Sequence, residues 1–265
     1  MKVTSPSILA ILCVLSSFSA RADDPASRKK DWLPPDGTLV MPVQGSASPD
    51  GRYAIGWGYE KGPVDWSRLA YDEKGWTEWG EVTFSTKMAD IPEGDPLEND
   101  ANFLLDLESG KTLCKLGIHY PGERPRFNLD GLIASWSPGL ACVVIRVTQK
   151  WETEFAAIAW IREGKCGGSS DLLKPLIAAM REATLESAHP AARRLADEDD
   201  FMYTLDEIAI KDDGTFIAEL NGVVPKLDQP EGFFEVRLEG VFSPGEAGGS
   251  AVMKTAKVEV EIPTE

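Results

Sequence analysis

The chain has 265 residues, 43% of them hydrophobic, with eight tryptophans and a net charge of −16. That is enough apolar material for one large or two small packed domains. The acidic balance repels phosphate backbones and argues against nucleic acid as a partner.

Residues 1–22 read as a secretory signal. Lys2 supplies a positive start, Ile8 to Phe18 an apolar core, and Ala20-Arg21-Ala22 a small-residue cleavage site before Asp23. The core is too short to span a bilayer, and Leu12 before Cys13 is too large for lipoprotein processing. Cleavage removes two cations and no acid, taking the charge from −16 to −18. The expectation is an exported chain, periplasmic or extracellular, with no membrane span. Residues 23–37, with Pro34 and Pro35 adjacent, read as an extended leader.

A first β domain is expected over residues 38–168. It opens with a strand from Thr38 to Val43, the turn Ser48-Pro49-Asp50-Gly51, and the strand Tyr53–Gly58. Pro49 presets φ, Asp50 can bond the backbone two residues on, and Gly51 accepts the positive φ. Residues 59–100 read as an insertion carrying Trp66, Trp76 and Trp79, a strand at Glu81–Ser85, and an acidic tract with Asp90, Glu93, Asp95, Glu98 and Asp100. Strands then follow at Phe103–Leu107 and Lys111–Leu116, joined through Glu108-Ser109-Gly110.

A second unit begins at Leu132 and holds Trp136-Ser137-Pro138-Gly139, the apolar run Leu140–Val147 and a strand from Glu154 to Ile161. Arg162-Glu163-Gly164-Lys165 echoes Ser109-Gly110-Lys111. The Ser-Pro-Asp-Gly turn before one strand and the Asp-Leu-Glu-Ser-Gly-Lys turn after the next resemble the PD-type (Tol-like), WD40-like bacterial β-propeller repeat over about residues 40–165. The resemblance implies four-stranded blades and carries no chemistry. A closed ring usually needs at least four blades, and two or three are countable here.

Residues 169–265 read as a helix plus an antiparallel sheet. Ser169-Ser170-Asp171 can cap a helix whose Leu173, Leu176, Ile177 and Met180 share one face. His189-Pro190 ends it, and Ala191–Asp197 reads as a second short helix. Strands are expected at Met202–Ile210, Thr215–Leu220, Gly232–Phe242 and Ala251–Ile262. Asp-Asp-Gly-Thr-Phe-Ile-Ala between the first two repeats the order of Pro-Asp-Gly-Arg-Tyr-Ala-Ile, which suggests a third, divergent unit. The fold class is therefore mainly β with a short helical insertion: propeller-blade-like antiparallel sheets followed by an α+β C-terminal part.

Chemistry is thinly marked. His119 and His189 stand seventy residues apart, and no spacing for a metal site, a serine nucleophile or a phosphate loop occurs. His119 reads as a loop residue and His189 as a helix C-terminal residue, favourable when charged. Trp57, Trp136 and Trp160 lie in strands and read as core. Trp66, Trp76 and Trp79, with Asp95, Glu98 and Asp100, are the candidate ligand-binding residues. No catalytic residue, metal or cofactor is assigned. Cys114 and Cys142 sit in apolar runs and read as independently buried, leaving Cys166 as an accessible, reactive thiol and no disulfide. The leading expectation is an exported, non-enzymatic binding or scaffold protein with a protein or glycan ligand. The alternative is an exported hydrolase, acting on glycans through acids of the 90–100 loop.

Overall fold

The computed structural model describes residues 39–61, 100–120, 131–149, 152–189, 192, 201–224, 233–244 and 251–261. The signal, the leader, Trp66, Trp76, Trp79, Asp95, Glu98, the Glu81–Ser85 strand and nearly all of the second helix lie outside them.

Twelve strands among the described residues fall into three groups of four. The first holds β1 (Val40–Pro42), β2 (Tyr53–Gly58), β3 (Ala101–Asp106) and β4 (Lys111–Lys115). The second holds β5 (Gly131–Trp136), β6 (Cys142–Thr148), β7 (Thr153–Arg162) and β8 (Lys165–Asp171). The third holds β9 (Met202–Ile210), β10 (Thr215–Val223), β11 (Phe233–Ser243) and β12 (Val252–Glu261). Each group is an antiparallel sheet whose strands lie in sequence order. The helix α1 (Leu173–Glu186) lies between the second sheet and the third in chain order. The chain is mainly β with a short helical insertion, as its sequence implies.

One turn recurs between the first and second strand of every sheet. In the first, the Gly51 N–H donates to the Ser48 carbonyl at 2.8 Å and Gly51 has φ of 73°. In the second, Leu140 donates to Ser137 at 2.9 Å with φ of 60°. In the third, Gly214 donates to Lys211 at 2.9 Å with φ of 86°. Each is a type of hairpin loop that closes on a left-handed residue. Asp50 and Asp213 play one role: each carboxylate accepts the N–H two residues on, from Arg52 and Thr215, at 2.9 Å. Leu140 is the exception in side-chain type, a branched residue where the other two sheets use glycine.

The second sheet is the centre of the stack. Along β6, Cys142 and Val144 face the third sheet and the helix, while Val143, Ile145 and Val147 face the first sheet. β7 alternates the same way, with Ala156 and Ile158 on one side and Ala157, Ala159 and Ile161 on the other. An apolar run of both parities is what a strand buried on both faces requires. Leu173, Leu176 and Met180 of α1 close the second core, and Asp171 Oδ1 accepts the Leu173 N–H at 3.0 Å at the helix start.

Polar contacts tie neighbouring sheets together. Asp212 accepts the Gly139 N–H at 2.9 Å, so the third sheet's turn holds the second sheet's turn. The Ser137 hydroxyl, then the Gly139 and Ala141 amides, keep its carboxyl below the usual carboxylate range. Arg146 on β6 donates to the carbonyls of Leu205 and Asp206. These carbonyls sit at a bulge where Asp206 is the extra residue, between the pairs Glu219 with Glu207 and Leu220 with Leu205.

Two expectations are corrected. The stretch from Lys165 to Asp171 is strand β8 rather than a loop, although its last residue, Asp171, does accept the Leu173 N–H at the helix start, and the boundary expected at residue 168/169 falls inside the strand. Its Gly-Gly-Ser-Ser sequence has weak strand propensity, but hydrogen bonding to β7 along its length overrides that preference. Cys166 is not a free thiol. It forms a disulfide with Cys114 of β4, with Cα atoms 5.7 Å apart across 52 residues of sequence. The two cysteines are exposed to each other because β4 and β8 are neighbouring edges of stacked sheets, a relation that strand-by-strand burial does not reveal. Cys142 is the free, buried cysteine among the described residues.

Closing a loop of 52 residues restricts the unfolded chain by about 4 kcal/mol in the chain-entropy account. Replacing both Cys114 and Cys166 by Ser should lower unfolding stability by up to that amount in urea titrations. Adding reductant should destabilise the parent protein and leave the double variant unchanged. The turn Arg162-Glu163-Gly164-Lys165 offers a smaller test, because Glu163 has φ of 52° and is exposed. Glu163→Gly should raise stability by about 1 kcal/mol.

Candidate binding groove

The β7–β8 hairpin turns through two residues of positive φ, Glu163 and Gly164, so Arg162 and Lys165 end up directly opposite each other. Further along, β8 bulges. Ala159 pairs with Ser169 and Ile161 with Cys166, leaving Gly167 and Gly168 to face the single residue Trp160. Two glycines cannot cover an indole as cross-strand side chains would. The result is a groove of about 440 Å³, lined by Trp160, Arg162, Glu163, Lys165, Gly167, Gly168, Ser170 and Pro244.

Each part of this groove is held from behind. A Cβ added to Gly214 would come within 2.8 Å of Trp160, so the third sheet's turn locks one edge of the indole. Cys166, on the opposite face of β8, anchors the strand to β4 through the disulfide. Ser169 Oγ accepts the Gly117 N–H at 2.7 Å, a second tie between the same two edges. The indole Nε1–H of Trp160 is buried with no acceptor. Buried indole N–H groups ordinarily find one. Sequence reasoning placed Trp160 in the core. It does pack, partly buried, against the core cluster; its edge on the groove follows from the glycine pair opposite, which was legible only once β8 was known to be a strand.

Asp100 is the one expected ligand-binding residue among the described residues. It lies just before β3, where Oδ2 accepts the Trp57 indole N–H at 2.7 Å and Oδ1 lies 3.1 Å from His119 Nε2. Nearby, buried Asn102 accepts the Tyr120 N–H at 2.6 Å and donates to the Tyr120 and Gly56 carbonyls. Asp100 therefore anchors the end of the first sheet. Trp57 and Asp100 are buried partners, while His119 is more than half exposed in a loop.

A second, acidic recess of about 240 Å³ lies on the outer face of the third sheet. Asp206, Glu219, Asn221, Glu235 and Arg237 line it, and Arg237 Nη1 donates to Glu219 Oε1 at 2.7 Å. Burial pushes the Asp206 carboxyl above its ordinary range, against the pull of Arg146. Asn221 donates to it. No cluster of three or more His, Cys, Asp or Glu side chains suited to a metal occurs among the described residues. No described helix is long and apolar enough to cross a membrane.

His189 departs from its expected role. It is buried beyond the end of α1, with its ring set edge-on to Phe234 and the two ring centroids 5.9 Å apart. Burial lowers its pKa from the ordinary value, and a backbone hydrogen bond to Phe233 opposes that shift more weakly. The ring belongs to a core rather than to the helix dipole, so the charged form is disfavoured.

No family model, curated protein or solved structure matches the chain.

A histidine with a depressed folded pKa is more easily protonated in the unfolded chain. Its contribution is complete above the unfolded value near 6.5 and is lost as the pH falls below it. Cys142 acts at the other end of the scale, since burial pushes its thiol to about 11 from 9.0 and favours unfolding as pH rises past 9.0. Urea midpoints should fall on both sides of a plateau. His189→Gln should flatten the decline below pH 6.5 relative to the parent, and Cys142→Ala should remove part of the alkaline decline.

Proposed function

We propose that this is an exported, non-enzymatic binding or scaffold protein whose stacked sheets are blades of the PD-type, WD40-like kind. The observation that carries the binding reading is the groove beside Trp160. It has the volume of a small-molecule site and is built on paired strands, which hold side chains more firmly than loops do. A disulfide at its back suits an oxidising compartment. The recurrent first turn of each sheet supports the blade reading.

Asp100 supports the alternative, a glycan hydrolase working through the acidic loop, because its carboxylate touches the His119 imidazole. Its second oxygen is occupied by Trp57, however, which suits a structural anchor better than an acid or base.

The experiment is capture from an envelope fraction with immobilised protein, run beside a chromogenic glycosidase and esterase panel. Retention of a partner that is lost in Arg162→Gln/Lys165→Gln, with no turnover, is expected. Turnover abolished by Asp100→Asn, with no partner retained, overturns the proposal in favour of the hydrolase.

A further inference from the structure

We infer that the groove beside Trp160 is a saccharide site selective for acidic sugars, a pyranose carrying a carboxylate. The inference rests on the binding reading above and names its ligand class.

Three features converge on that chemistry. The first is the indole itself, which lines the groove and faces only Gly167 and Gly168 across the strand. The part of the ring that lines the groove offers the apolar platform that the C–H face of a pyranose needs. The second is the size of the groove, about 440 Å³ with Ser170 and Pro244 on its walls, which has room for a sugar ring.

The third feature is charge. Arg162 and Lys165 are cross-strand partners at the groove's open end, both exposed, and neither forms an ion pair among the described residues. Glu163 lies on the same rim, so two cations stand against one carboxylate. In a chain of net charge −16 this is a local reversal of sign. A guanidinium can take a carboxylate through two parallel hydrogen bonds, while the Ser170 hydroxyl further in the groove offers a donor and acceptor for a neutral hydroxyl. Aromatic platform, sugar-sized groove and paired cations fit one molecule in this order: ring on Trp160, acid group at Arg162 and Lys165.

The test uses isothermal titration of the complete exported chain with a trimer of galacturonic acid and, separately, with a neutral galactose trimer. Indole N–H resonances are followed by NMR in parallel. The acidic trimer should saturate, should shift the resonance that disappears in Trp160→Phe, and should bind more weakly as salt is raised. The neutral trimer should bind about ten-fold more weakly or worse, and Arg162→Gln/Lys165→Gln should reduce acidic-trimer affinity by a similar factor while leaving the melting temperature unchanged. Equal binding of the two trimers overturns the inference, as does no saturation at millimolar trimer or full competition by an acidic peptide. If envelope capture still depends on Arg162 and Lys165 while the acidic trimer fails, the ligand class is wrong and the binding reading stands. If both fail, both fall.

Discussion

The two central strands of the second sheet, β6 and β7, bury apolar side chains on both faces, and the rest of the structure follows from that constraint. Val143, Ile145, Val147 and Ile161 on one side are all buried, as are Cys142, Val144 and Ile158 on the other. Uncovering only the first of these faces would cost roughly 10 kcal/mol in lost burial, comparable with the entire stability of an ordinary domain. The first sheet must therefore cover one side, and the third sheet with α1 the other. The three sheets are folded layers of one stack more than they are separate modules. The bridge from Asp212 to Gly139, the Arg146 contacts to β9 and the disulfide all lie along the seams of that stack.

The strands were largely legible, because their information is local. Tyr53–Gly58 and Met202–Ile210 have the predicted bounds, and the hairpin turns carry their own chemistry in Pro-Asp-Gly and Asp-Asp-Gly. The third unit was legible for the same reason, since its turn repeats the first unit's order of residues. What failed was local evidence with a non-local answer. Lys165–Asp171 lacks strand-forming residues, and β7 alone supplies the reason it is extended. Cys114 and Cys166 belong to different sheets, and nothing near either residue tells that β4 and β8 stack edge to edge.

The same distinction explains the groove. A tryptophan in an apolar strand is ordinarily core, and Trp57 is, at 1% exposed. Trp160 differs through its partners: glycines at 167 and 168 across the strand and Gly214 from another sheet. Each of those contacts needs the register or the stacking before it can be seen. His189 was misread in the same way. Its position after a helix suggested a dipole partner, but the third sheet's Phe234 encloses it.

The placement of the disulfide divides the stack mechanically. It spans from the last strand of the first sheet to the last strand of the second, and no disulfide among the described residues ties the third sheet to either. Under tension applied to its two ends, the molecule would release the third sheet and α1 without rupturing a covalent bond. The stretch between Cys114 and Cys166, which are 52 positions apart, would stay folded back as a closed loop, withholding roughly 180 Å of contour length until the bond is reduced. That makes the second sheet's side of the groove the part of the molecule last to be pulled apart.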